Sequence, residues 1–231
     1  MRVWIKGNVT MCSRYSLIGF DDAAERFGIA EPPAGFPPHF NIAPGSVNPV
    51  IVRDGRPDAV MMKWGLVPHW SRDIRTAHRP ANARSESLAE KPMFKDLLKN
   101  KRCIVPASGF FEWKKEWTRK VPFYIRVKDD PIFAFAGLYD VWHNPAGEVL
   151  WTYTIINTEP NELMAPLHNR MPVILRRENE QRWLAGDLNS DAMREILAPY
   201  PAGGMEAYPV SERVNKVGVD DEGLIRPLKG L

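Results

Sequence analysis

Hydrophobic and polar residues alternate with a period of two over much of the chain, which is typical of strands half buried in a sheet. The stretch from residue 48 to 64 has two such runs around Asp54-Gly55, a dipeptide that favours a tight turn, so it predicts a β-hairpin. Further strand-like runs are RCIVPA, GFFEWKK, VPFYIRV, IFAFAGLYDVW, VLWTYTIINTE, RMPVILR and MEAYPVSERVNKV.

Helical patterns are fewer. The segment 21–28 has an acidic beginning and a terminal glycine, and a second helix is predicted over 90–99, with Pro92 near its start. ENEQRWLAG and SDAMREILAPY predict surface helices, the second N-capped by Ser190. Because strands and helices do not alternate regularly, the pattern predicts an α+β fold with a mostly antiparallel, barrel-like sheet and peripheral helices.

Composition is that of an ordinary soluble globular protein, with 231 residues, 44% hydrophobic and 26% charged. No apolar run is long enough to span a bilayer, and residues 1–10 lack the apolar stretch of a secretory signal. We therefore expect a cytoplasmic protein with no membrane partner. Nothing indicates an oligomer, so a monomer is the default expectation.

Charge is unevenly distributed, although the net charge is only +3. From Lys91 to Arg126 there are ten Lys or Arg against three Asp or Glu, which fits either a solvated face or a surface for a polyanion. The two cysteines form neither a disulfide framework nor a zinc module, and the five histidines are scattered, so we expect no metal and no cofactor. Cys103, in an apolar run, is expected in the core.

Two polar residues stand in apolar company. Glu112 lies in SGFFEWKK, where alternation puts it on the face of Phe110; it is either solvent-facing or a carboxylate among rings, with a raised pKa suited to acid–base work. His168, in APLHNRMP, is either structural or a proton shuttle beside the anion-binding guanidinium of Arg170.

Other candidates could bind a carbonyl, a phosphate or an unpaired base. Asn82 and Arg84 are two residues apart, so in an extended segment they face the same way and could hold a carbonyl and a phosphate. In MKWGLVPHWSR, Trp64 is expected in the core, whereas Trp70, near Arg72, could stack on an unpaired base.

Cys12 directly follows Met11. Cysteine is small enough for a start methionine before it to be removed, and the chain would then begin with an α-amine and a thiol on one residue. While residues 1–11 remain, the nitrogen of Cys12 is an amide. Either translation starts at Met11, which is the simpler account, or the extension is cut off.

Six ordered blocks between residues 11 and 175 carry a resemblance. They are MCSRYS, FNIAPGS, MKWGLVPHW, NARSES with KPMFKDLLKNKRCIVPASGFFEWKK, FAGLYDVW, and TIINTEPNELMAPLHNRMPVIL. In these blocks the chain resembles the SOS response-associated peptidase family. The resemblance covers most of the chain, and we expect one such domain over 11–231 after an extension of residues 1–10.

The resemblance implies a β-barrel-like core, a basic groove for single-stranded DNA and a covalent crosslink to abasic sites in the SOS response to damage. The reactive group would be Cys12 as N-terminal residue, helped by Asn82, Glu112 and His168. The residues at family positions that hold DNA are Arg14, Arg84, Arg170 and Trp70. The partner would be abasic single-stranded DNA at the nucleoid, and lyase-like chemistry or self-cleavage before Cys12 would be possible activities.

Two other functions fit the same residues. One is a cysteine peptidase acting on other proteins, with Cys12 as nucleophile and His168 as base. The other is a non-covalent single-stranded DNA-binding module in which Cys12 is only a small buried residue.

Overall fold

In a computed structural model the protein is described for residues 13–30, 33, 35–144 and 146–228, and this part of the chain contains thirteen strands and four α-helices. The strands are β1 (Tyr15–Leu17), β2 (His39–Ile42), β3 (Val47–Asp54), β4 (Arg56–Trp64), β5 (Asn82–Arg84), β6 (Arg102–Ala107), β7 (Gly109–Glu116), β8 (Arg119–Val127), β9 (Phe133–His143), β10 (Val149–Thr158), β11 (Met171–Pro172), β12 (Ile174–Leu175) and β13 (Met205–Pro209). The helices are α1 (Phe20–Phe27), α2 (Pro92–Asn100), α3 (Arg177–Leu184) and α4 (Ser190–Ile196).

Five strands close into a barrel. The order β10-β4-β3-β6-β9 is completed by the pairing of β9 with β10, and every step is antiparallel except the parallel pair of β10 with β4. Closure removes the unpaired edges that an open sheet would expose. β5 also pairs with β10 in parallel, outside this circuit. The predicted α+β fold with a mostly antiparallel barrel is confirmed.

A second sheet has the order β13-β8-β7-β1-β2. It shares one core cluster with the barrel and has a second apolar cluster on its other face. Phe110 of β7 belongs to the large core cluster that also fills the barrel, whereas its neighbour Phe111 belongs to a smaller cluster with Tyr124 and Val214. This alternation is the period of two read from the sequence. It puts Glu112 on the face of Phe110, as predicted.

The helices and turns follow local signals with two corrections. α1 ends at Gly28, which adopts a φ of 69°, and α2 begins at Pro92, both as predicted. The N-cap of α4 is Asn189, whose Oδ1 accepts from the N–H of Ala192 at 2.8 Å, so the prediction of Ser190 is wrong by one residue.

The last predicted strand is shorter than expected. It stops at Pro209, and the hydroxyl of Ser211 then accepts from the N–H of Arg213 to start a 3₁₀ turn. Within the described residues, the helices are too short and too polar to cross a membrane.

Candidate functional site

A groove of about 1080 Å³ lies where four segments of the chain meet. They are the loop after β4, strand β5, the start of α2 and the turn that ends at residue 170. None of the fourteen described residues that line it is acidic. The lining residues are Trp70, His78, Pro80, Ala81, Asn82, Ala83, Arg84, Lys91, Pro92, Met93, Phe94, His168, Asn169 and Arg170.

Strand β5 presents Asn82 and Arg84 to this groove. β5 pairs with β10, with Asn82 opposite Ile155 and Arg84 opposite Asn157, so it is an ordered strand although it has only three residues. Ala83, between them, is buried in the core. Asn82 and Arg84 therefore share one face, as their spacing predicted, and both line the groove.

His168 reaches the groove from a tight turn that follows β10. Its own N–H donates to the carbonyl of Met164 at 2.9 Å, and the N–H of Arg170 donates to its Nδ1 at 3.2 Å. Since a backbone N–H only donates, Nδ1 is an acceptor and the proton of the neutral ring is on Nε2. Burial lowers the pKa of His168, and the positive charge of Lys120 acts in the same direction. A neutral imidazole at physiological pH can both give and take a proton.

Arg84, Lys91 and Arg170 give the groove its positive charge. The guanidinium of Arg170 pairs with Glu86, and this pair lowers the pKa of the Glu86 carboxyl. Arg84 is exposed and has no ion-pair partner among the residues that the structure describes. A phosphate at Arg170 competes with Glu86, whereas one at Arg84 meets no such competition.

Trp70 forms one wall and is 59% exposed, whereas Trp64 is buried, as predicted. The loop that carries Trp70 is anchored by Asp140, whose Oδ2 accepts from the backbone N–H and the Nδ1 of His69 at 2.8 and 2.9 Å. Oδ1 of Asp140 accepts from Nζ of Lys101 at 2.6 Å. Burial acts to raise the pKa of Asp140, but these hydrogen bonds outweigh it and the pKa lies below its ordinary value.

Sequence reasoning missed Asp140. Its signal is the same as that of Glu112, a carboxylate inside an apolar strand, here GLYDVW. The groove residues Lys91, Phe94 and Asn169 were also missed, because nothing in their local pattern points to a shared cavity.

Glu112 lies outside the residues that line the groove and is only 2% exposed, so the solvent-facing interpretation is wrong. It stands opposite Phe123 in the β7–β8 pair. On the other side of β7, Tyr15 pairs with Phe110 and the N–H of Phe111 donates to the carbonyl of Arg14 at 3.0 Å. Ser13 is the residue before Arg14 along the chain. Cys12 lies outside the described residues.

Arg14 is only partly exposed. Its Nη1 donates to Oδ1 of Asn41 at 2.9 Å and to the carbonyl of Val214 at 2.7 Å, and burial lowers the pKa of its guanidinium. These bonds tie β1 to the C-terminal segment. Contact between Arg14 and DNA stays a prediction.

Cys103 is fully buried, as expected, and burial raises the pKa of its thiol well above the ordinary value. It is therefore a core residue with little thiolate character. No cluster of three or more His, Cys, Asp or Glu suited to a metal occurs in the described part of the chain.

Comparison with known proteins agrees with this architecture. The family model described as SOS response associated peptidase (SRAP) matches residues 11–217. The abasic site processing protein YoqW of Bacillus subtilis is 44% identical over 211 residues, which cover 89% of this chain and 94% of YoqW. The abasic site processing protein HMCES of Xenopus tropicalis is 32% identical over 214 residues, covering 78% of this chain and 63% of HMCES.

A solved structure shows the same fold. A crystal structure of a Bacteroides thetaiotaomicron protein superposes with a TM-score of 0.85 at 30% identity and covers 94% of this chain and 100% of that one. The match over residues 11–217, the barrel with its second sheet and the ordered motifs agree with one another. The chain belongs to the SOS response associated peptidase family.

Proposed function

We propose that the protein binds abasic sites in single-stranded DNA and captures them covalently through Cys12. The observation that carries this function is the convergence of Trp70, Asn82, Arg84, His168 and Arg170 in one groove without acidic lining residues. The relatives named abasic site processing proteins support the abasic site as the target. Such a protein acts in the cytoplasm, at damaged nucleoid DNA during the SOS response, and shields the site until repair.

The chemistry follows from the two nucleophiles of an N-terminal cysteine. The opened abasic sugar presents an aldehyde, and the α-amine of Cys12 adds to its carbon. Loss of one water leaves a C=N double bond. The thiol then adds to the same carbon, its proton goes to the nitrogen, and a five-membered thiazolidine ring closes. Only an N-terminal cysteine offers both groups in this geometry, so residues 1–11 must be absent from the reactive form.

The α-amine also suits neutral pH. Its pKa of ~7.7–8.0, against ~10.4 for lysine, leaves roughly 10–15% of it neutral at pH 7, and less than ~0.1% of a lysine. Holding amine, thiol and aldehyde together adds the advantage of proximity. No special burial of the amine is needed.

The surrounding groups divide the remaining work. Glu112, a buried carboxylate on the strand that pairs with β1, assists ring opening and proton transfer. His168, neutral because burial lowers its pKa, moves protons during formation of the C=N bond and its reversal. Asn82 orients the amine or the sugar oxygen. Arg84 and Arg170 hold phosphates on either side of the lesion, Arg14 supports the backbone nearby, and Trp70 covers the neighbouring base.

The test is a denaturing gel-shift with a single-stranded oligonucleotide that has one abasic site. Cys12→Ala should abolish the denaturant-stable adduct, whereas Cys103→Ala, the matched control, should retain it. Full crosslinking by Cys12→Ala contradicts the proposal. DNA binding that survives Cys12→Ala, with no adduct from either form, indicates the non-covalent module instead. Cleavage of a fluorogenic peptide panel that depends on Cys12 indicates a peptidase.

A further inference from the structure

The hairpin that joins β7 to β8 ends in a strongly basic segment. Residues 114–120, here named the basic tip, read KKEWTRK and have four positive charges against one negative. Glu116 pairs with Lys114 at 3.2 Å and with Arg119 at 3.4 Å. Lys115 and Lys120 have no ion-pair partner within the described chain.

The basic tip departs from the rules of local stability at three points. Lys115 and Lys120 stand directly opposite each other across the hairpin, and like charges in that position destabilise a strand pair. Trp117 is 98% exposed, so its ring gains nothing from burial. Trp117 also has a φ of 44°, in the left-handed region, where a hairpin of this length is normally built with glycine.

Unfavourable features that coincide at one surface position indicate a function that the fold alone does not need. A polyanion would relieve the repulsion between Lys115 and Lys120. An unpaired base would cover the exposed ring, because every base has a face on which an aromatic side chain can stack. Both needs are met by one ligand, a nucleic acid strand.

The basic tip also acts electrostatically on the groove. The charge of Lys120 lowers the pKa of His168. Trp117, the first residue after β7, is five residues beyond Glu112, which at ~3.3 Å per residue is about 17 Å. A DNA strand with its lesion near Glu112 would reach Trp117 after about five base steps of ~3.4 Å.

We propose that the basic tip is a second DNA contact, in which Trp117 stacks on an unpaired base several nucleotides from the lesion while Lys115 and Lys120 hold phosphates. This surface rests on the proposed function, because it extends the path of the same bound strand. Its role is affinity and placement of the strand, and it takes no part in the chemistry at Cys12.

The test measures binding without crosslinking. Fluorescence anisotropy would use a 30-nucleotide single strand with a central tetrahydrofuran abasic analogue, which has no aldehyde, and a five-nucleotide strand with the same lesion. Trp117→Ala should weaken binding of the long strand about tenfold. Trp117→Phe, which keeps a stacking face, should stay within about threefold of the wild type. The short strand should bind all three proteins alike.

Two outcomes would contradict the proposed second DNA contact. Trp117→Ala could bind the long strand as tightly as the wild type does, or it could lose the same affinity for both strands. Because Trp117 is almost fully exposed, its replacement should not unfold the protein, and a melting curve checks this. An adduct at Cys12 with unchanged binding by Trp117→Ala leaves the proposed function standing and removes the surface. If Trp117→Ala loses affinity only for the long strand and the protein forms no adduct with reactive abasic DNA, the second contact stands and the proposed covalent function fails.

Discussion

Two β-hairpins of this protein both turn at a residue with a positive φ, but they differ in the type of that residue and in the charges near the turn. β3–β4 turns at Gly55, which has a φ of 74°, and sets Asp54 opposite Arg56. β7–β8 turns at Trp117, which also has a positive φ, and sets Lys115 opposite Lys120. The first turn uses the residue that its backbone favours, whereas the second has tryptophan there. Both have opposite charges beside the turn, but in the second hairpin the like-charged pair Lys115 and Lys120 follows the pair of Glu116 and Arg119.

The difference separates a hairpin that serves the fold from one that serves a ligand. β3 and β4 are members of the closed barrel. β7 instead contains the buried Glu112 near its middle and leads into the basic tip. The proposed DNA contact at the basic tip accounts for the loss of local stability on the second hairpin.

The largest effect should come from one carboxylate on each hairpin. Glu112→Gln keeps the shape of the side chain but removes its proton transfer, so the crosslinking rate should fall by ~10²–10⁴-fold. Asp54→Asn, at the exposed turn of the other hairpin, should leave the rate unchanged. Single-turnover kinetics with saturating abasic DNA measures both. Equal crosslinking rates for the two variants would contradict a role of Glu112 in proton transfer.

The next effect compares charge pairs at the two tips. Lys115→Ala with Lys120→Ala should lower the magnitude of the slope of log affinity against log salt by about 1.4, at ~0.7 per phosphate contact on a single strand. Arg53→Ala with Arg56→Ala removes the same charge from the barrel hairpin and should leave the slope as it is. Anisotropy titrations at several salt concentrations give the slope for each double variant. An equal decrease in both variants would mean that the slope depends only on net charge.

Substitutions at the two turn residues with positive φ should differ in their effect on Tm. A Cβ at Gly55 meets no atom within 4 Å, so Gly55→Ala isolates the penalty of positive φ, about 1 kcal/mol. That lowers Tm by roughly 2–4 °C in a domain of this size. Trp117→Gly should leave Tm unchanged or raise it while weakening DNA binding. A clear drop in Tm for Trp117→Gly would show that Trp117 supports the fold.

The smallest effect is a titration. Burial and the charge of Lys120 both lower the pKa of His168, so Lys120→Ala should raise that pKa, although burial should keep it below the ordinary value. Because the folded pKa lies below the unfolded one, His168 destabilises the fold as pH falls through the ordinary histidine range. NMR titration of the imidazole gives the pKa, with Arg56→Ala as control. If the pKa of His168 is the same in Lys120→Ala as in the wild type, the basic tip does not act on the groove.

Much of the fold was accessible from the sequence because its signals are local. The period of two predicts the strands, Asp54-Gly55 predicts the first hairpin, and alternation assigns Glu112 to the face of Phe110. Local signals fail where two neighbours compete for one role. Asn189 and Ser190 are both good N-caps, and only the observed bond to Ala192 separates them.

The assembly of the site has no local signal. Asn82 and Arg84 meet His168 because β5 pairs with β10 in parallel, a contact between segments more than seventy residues apart. The bond from Arg14 to Val214 spans 200 residues. Individual candidates can thus be proposed from residue type and spacing, but which of them share a groove depends on long-range pairing.

The central claim is that Cys12 captures an abasic site once it is the N-terminal residue. The most direct measurement is the intact mass, under denaturing conditions, of the 231-residue chain and of a version beginning at Met11, each mixed with an abasic oligonucleotide. We expect the mass of a chain whose first residue is Cys12, increased by the mass of the oligonucleotide less one water. The sample of the 231-residue chain shows whether residues 1–11 are removed. A free Cys12 terminus without any adduct would contradict the account.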